Sequence, residues 1–383
     1  MIATKNSQID RGTAFSEKTH DVSLRAGDWV EVRSKEEILK TLDTRGQLEG
    51  LPFMPEMLAY CGRRFRVFKR AHKTCDTVND YKGRKMKDAV HLEGLRCNGL
   101  SHGGCEAGCL IFWKVAWLKK VVDNSPHLGA DTNPLATENE PGDAFAQCTE
   151  ADLLLGARPS NHGDEAVYVC QATQVPAATE PLSHWTLSQY IEDYTSGNVG
   201  LVRMARGFIF MAYHHYLVNL GIGWGPILIW LYDAFQRLAG GFPYPRRAGK
   251  IRVGERTPSA NLDLQAGQLV RVKSYKDILA TCDLSNKNRG MTFDAEMVPY
   301  CGRTYRVLKR VTKIVNERTG RMQEMKTPCI ILEGVVCQSR YSDCRLFCPR
   351  NVYPYWREIW LERVTEVALT PASREMSRNT PIQ

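Results

Sequence analysis

The chain has 383 residues, 43% hydrophobic and 24% charged, a balance that excludes a disordered or collagen-like chain and allows two or three globular domains. Its net charge is +9, and its 13 cysteines are an odd count that cannot pair fully within one chain. The opening stretch MIATKNSQIDRGTAF lacks the apolar segment of a secretory signal, so the expected location is cytoplasmic, where thiols stay reduced.

Residues 21–122 form a first basic module, with 19 Lys/Arg against 13 Asp/Glu. WVEVRS alternates apolar and polar residues, the period of a half-buried strand. Ser34 and Glu37 have the spacing of a capping box and predict a short helix over roughly 35–43. Pro55 opens a second short helix that ends at Gly62. RFRVFKR, AVHLEGLRC and FWKVAWLKKV read as strands. In RFRVFKR, Phe65 and Val67 supply a core face and Arg64 and Arg66 a solvated one, which is favoured over a base-stacking surface.

Residues 123–164, rich in Pro, Gly, Asn and acids, read as a linker. Residues 123–260 together are acidic, with 9 Lys/Arg against 14 Asp/Glu, and after the linker an insert follows at 165–260, with a strand over 165–175, a helix over 183–197 and the charge-free run Gly207–Tyr232. That run is long enough for a membrane span, but GIGWGP divides it into two arms that are each too short. The preferred reading is a buried helical hairpin, and the alternative is an interfacial or re-entrant membrane segment over 207–232, which would make the protein membrane-associated.

Residues 261–364 repeat the first module. LRAGDWVEVRSKEEILKTLD (24–43) returns as LQAGQLVRVKSYKDILATCD (264–283), YCGRRFRVFKR (60–70) as YCGRTYRVLKR (300–310), and HLEGLRC (91–97) as ILEGVVC (331–337), all at one offset of 240 residues. The fold class expected is therefore α+β, mainly β: two repeated, small, partly open β-barrel modules of SH3-like type, joined by an α-helical insert.

The repeat also sorts the cysteines. Cys61, Cys97, Cys105 and Cys109 correspond to Cys301, Cys337, Cys344 and Cys348. Four thiols per module match the ligand demand of structural zinc, with an iron–sulfur cluster as the runner-up. Cys61 and Cys301 end a helix and also suit a packed role, in which case His102, His72 or Cys75 would supply the missing ligand. Cys148 and Cys170 are candidates to complete the first site. All nine histidines precede position 216, so the first copy is the one expected to carry ligand chemistry. His72, Cys75 and Asp76 form a candidate nucleophilic group, set against the plainer reading of HKTCDTVNDYKG as a turn. No phosphate-loop, dinucleotide, zinc-protease or hydrolase motif is present, so no nucleotide cofactor is expected.

The stretches GLPFMPEM, YCGRRFRVFKRAHKTCDT, HLEGLRCNGLSHGGCEAGCLIFWK and YVCQAT together resemble a bacterial family of Cys-rich proteins. The resemblance implies a bacterial, intracellular origin and brings no activity with it. GDWVEV is similar to the first strand of SH3-like or KOW-type barrels. The reading that follows is a zinc-binding, tandem-module accessory protein without its own catalysis, binding a protein partner or, through its basic modules, nucleic acid. The alternatives are a metal- or thiol-dependent enzyme centred on the first module, which needs an accessible Cys75, and a peripheral membrane component of a biosynthetic assembly.

Overall fold

The computed structural model describes residues 23–79, 82–121, 148–158, 160–162, 165–219, 223–342 and 344–364. The N-terminal stretch and most of the expected linker lie outside them. The fold is mixed α+β, and its sheets include two curled half-barrels. Helical and strand residues are about equal in number, so the expectation of a mainly β chain gives way. The difference comes from the insert, whose helices outweigh its short strands.

In the first half, β1 (Trp29–Val32), β2 (Arg64–Arg70), β3 (Lys73–Cys75), β4 (Gly83–Met86), β5 (Ala89–Arg96), β6 (Leu110–Lys114) and β7 (Leu118–Lys120) follow in order. Five of them make a sheet in the order β6-β5-β2-β1-β7. The helix α1 (Lys35–Leu39) starts at Ser34, whose hydroxyl accepts from the Glu37 amide while Glu37 caps back onto Ser34. Pro55–Tyr60 is a 3₁₀ helix. The expected last strand is split: Val115–Trp117 form a 3₁₀ turn between β6 and β7, which carries Trp117 into the core.

Within the insert, α2 (Glu150–Ala157) falls inside the expected linker. The expected strand over 165–175 covers only 165–167 and then becomes the short helix α3 (Gln171–Gln174). A further strand, β8 (Thr179–Pro181), pairs with β4, and β4 with β3, so the insert is stitched to the first half. Then come α4 (Ser188–Thr195), α5 (Leu201–Ala212), which continues as a π-helical turn over Tyr213–Val218, and α6 (Gly225–Leu238).

The second half has β9 (Leu269–Val272), α7 (Tyr275–Ala280), β10 (Thr304–Val315), β11 (Met322–Leu332) and β12 (Leu361–Arg363), with sheet order β11-β10-β9-β12. Trp29 pairs with Arg66 across β1 and β2, and Leu269 with Arg306 across β9 and β10. Each half has its own apolar core. In the first, Phe53 meets Trp117 edge-on at 5.2 Å, and in the second Phe293 meets Trp360 at 5.4 Å. Each of these indoles donates to a helix-end threonine, Trp117 to Thr41 at 3.1 Å and Trp360 to Thr281 at 2.9 Å.

The hairpin is not buried. Its inner face packs on the second half, with Phe210 against Tyr341 at 4.9 Å and Gly207 against the Phe347 ring. No residue of α6 is buried. A hairpin with apolar residues on all sides has more apolar surface than one neighbouring face can cover.

Candidate metal centre

Three side chains converge at the edge of the first core: Glu56 from the Pro55–Tyr60 helix, Cys97 from the end of β5, and His102 from the 3₁₀ turn Leu100–His102. One ligand atom from each lies within 4.8 Å of the others. The loop that brings His102 back is tight. Gly99 has φ +73°, and a Cβ there would run into the Cys105 carbonyl.

The polar contacts are incomplete in an informative way. The Cys97 thiol donates to Glu56 Oε1 at 3.1 Å. His102 Nε2 lies 3.1 Å from the Val169 carbonyl, which fixes the proton on Nε2 and leaves Nδ1 with a lone pair. That Nδ1 stands 3.4 Å from Glu56 Oε1, outside hydrogen-bond geometry. Both His102 Nδ1 and Glu56 Oε2 are buried without a hydrogen-bond partner. Buried polar atoms left without partners beside a thiol are what an ion would satisfy. Burial works against ionisation of Glu56, but the His102 ring, when it carries a second proton, and the Cys97 thiol outweigh it and hold the carboxyl below its ordinary value. Burial, reinforced by Glu56, pushes the Cys97 thiol up.

Beside the triad lies a small, partly open cavity of about 30 Å³, room for an ion or a water. Cys97, His102, Cys105, Cys109 and Cys170 line it, with Glu317 and Arg350 from the second half. Burial pushes Cys109 up to about 12 and Cys170 to about 11. Cys105 Sγ accepts the Val315 amide at 3.3 Å. The next residue, Glu106, takes the amides of Thr312 at 2.5 Å and Lys313 at 3.1 Å. The 105–109 loop is thereby fastened along β10.

The remaining candidates lie elsewhere. Cys61 and Cys301 each end a 3₁₀ helix and pack against the core of their own half. Cys337 and Cys348 sit in the second half, where Cys75 of the first half reaches Cys348. The Cys344 carbonyl faces Gly83. Cys148 lies near Asp43, away from the cavity. His72 turns to Asp193 (3.3 Å) and the Gln189 carbonyl (3.2 Å), while Asp76 caps the turn through the Val78 and Asn79 amides. His72, Cys75 and Asp76 thus have separate partners, and Cys75 is only 3% exposed, which does not meet the accessibility that the thiol-enzyme reading requires.

Glu56 is the residue that sequence reasoning missed. Its signal was the repeat itself, since Glu56 recurs as Glu296 in FMPEMLAY and FDAEMVPY. Glu296 is buried too, but it accepts the Tyr341 amide at 2.6 Å, and Ser342 stands 240 positions after His102. No protein-family model matches the chain, and no curated protein matches it.

Proposed function

We propose that the chain is a zinc-binding accessory protein built from two copies of an SH3-like module, which holds a protein partner and performs no catalysis of its own. The observation that carries this reading is the Glu56–Cys97–His102 triad, in which His102 Nδ1 and Glu56 Oε2 are buried without a hydrogen-bond partner. Nitrogen, sulfur and carboxylate donors at one point suit zinc. The fourth position falls to a cavity thiol or a water. Cys97, Cys105, Cys109 and Cys170 around the cavity are the donors an iron–sulfur cluster would take, but the triad itself offers one thiol among mixed donors, so a single ion is the better fit there.

The duplicated module is supported by matched pairings 240 residues apart and by the matched indole–threonine bonds. A protein partner is favoured over nucleic acid because the basic strand is occupied internally. Arg64 pairs with Glu31 at 3.0 Å, and Arg66 donates to the Gly27 carbonyl at 3.1 Å. Among the described residues of the two halves, Trp29 is the one large aromatic that stands exposed, so no stacking platform accompanies the charge.

The test is metal content of the purified chain, with Glu56→Gln, Cys97→Ser and His102→Ala alongside. One zinc per chain, lost in each variant together with zinc-dependent thermal stability, is expected. A metal-free protein whose melting temperature ignores added zinc would refute the reading.

A further inference from the structure

The outer face of the hairpin is the largest unexplained feature of the surface. Ile209 is 68% exposed, Trp224 61%, Trp230 64% and Leu238 91%. Tyr216, Leu217, Ile227 and Phe235 are exposed as well. Folded chains rarely leave an apolar patch of this extent in water.

We propose that the α5–α6 hairpin docks on an anionic lipid bilayer, its outer face lying in the boundary between headgroups and acyl chains. The charge pattern selects this occupant. Between Asp193 and Asp233 there is no acidic residue, and the only charged side chains are Arg203 and Arg206. Cations flanking an apolar face, with no acidic residue between them on the first arm, suit an anionic bilayer surface. Arg203 is taken up by the Gln338 carbonyl at 2.8 Å, so the exposed cations beside the patch are Arg206 near the start of the hairpin and Arg237 near its end. Trp224, Trp230 and Tyr216 are the residue types that settle at the headgroup level.

Length gives the mode of docking. No described helix is long and apolar enough to cross a membrane. The 14 residues of α6 reach about 21 Å at ~1.5 Å per residue, against a hydrocarbon thickness of about 30 Å. The hairpin therefore lies along the interface. It is set in place before docking: Tyr213 donates to the Leu228 carbonyl across the two arms, and the inner face is anchored on Phe347 and Tyr341. None of this depends on metal.

The experiment is co-sedimentation of the full chain with phosphatidylcholine vesicles, with and without phosphatidylserine, at low and high salt. Binding is expected to rise at least tenfold with phosphatidylserine and to fall with salt. Ile227→Asp/Trp230→Asp should abolish it while circular dichroism and zinc content stay unchanged. Arg206→Glu/Arg237→Glu should remove the phosphatidylserine dependence. Absence of binding to either vesicle overturns the proposal. So does a wild-type dimer in solution that Ile227→Asp/Trp230→Asp converts to monomer, because the face would then be covered by a second copy.

Discussion

Cys75, on a strand of the first half, lies beside Cys348, in a loop of the second, and the guanidinium groups of Arg345 and Arg350 flank the pair. Arg350 also donates to the Cys75 carbonyl at 3.1 Å and to Thr77 at 2.7 Å. The neighbouring Cys348 thiol draws the Cys75 thiol down to about 6 against the effect of burial, with help from Arg350 and Arg345, and Cys348 is driven the other way.

A thiol depressed below its ordinary value of 9.0 gives the folded state stability that grows as pH rises from about 6 and is lost as pH falls through it. Cys348 stays protonated in both states up to about pH 8 and adds no slope below it. Denaturant midpoints measured between about pH 6 and 8 should therefore climb for the wild type and flatten in Cys75→Ser. An equal climb in the variant would show that the thiolate is not at Cys75.

Zinc at the triad has to displace the Cys97 proton, because burial and Glu56 keep that thiol neutral in the free protein. Calorimetric titrations in buffers of different ionisation enthalpy should report release of about one proton per zinc. Affinity should weaken as pH falls, and Cys97→Ser should remove the release.

Asp193, from α4, is fully buried between His72 and Lys73, with Lys73 Nζ at 2.5 Å. Lys73 also donates to the Leu346 carbonyl at 2.9 Å, so the insert and both halves meet at this ammonium group. Asp193→Asn leaves a buried charge short of its counterion and should cost about 3–5 kcal/mol of unfolding free energy. Lys73→Met/Asp193→Leu should recover much of that loss.

Thr41→Val and Thr281→Val each orphan a buried indole N–H, of Trp117 and Trp360 respectively. Each should cost about 1–3 kcal/mol. If the halves unfold separately, the two variants will shift different transitions in a calorimetric scan.

Much of this architecture is legible in the sequence. The alternation in WVEVRS, the Ser34–Glu37 spacing and the 240-residue offset lead directly to β1, α1 and the matched β9 and α7. Such signals are local, or depend on comparing the chain with itself. The split at Val115 is not legible, because its cause is Trp117 turning into a core built from distant residues. The charge-free run suggested burial, yet hydrophobicity alone does not say whether a surface exists to cover it. At the site, the cysteine loop and His102 stand out by spacing. Glu56 lies 41 residues before Cys97 and carries no metal-site spacing of its own.

The fastening of the 105–109 loop along β10 would make occupancy of the cavity by an ion and the posture of the two halves a single thermodynamic variable. Cys105 and Glu106 hold the amides of Thr312, Lys313 and Val315. Whatever draws β10 away from the loop loosens the walls of the ion's cavity, and an ion that stiffens those walls opposes the separation by the same free energy. Zinc affinity in the presence of a bound partner would then read the partner's preference for one arrangement of the halves.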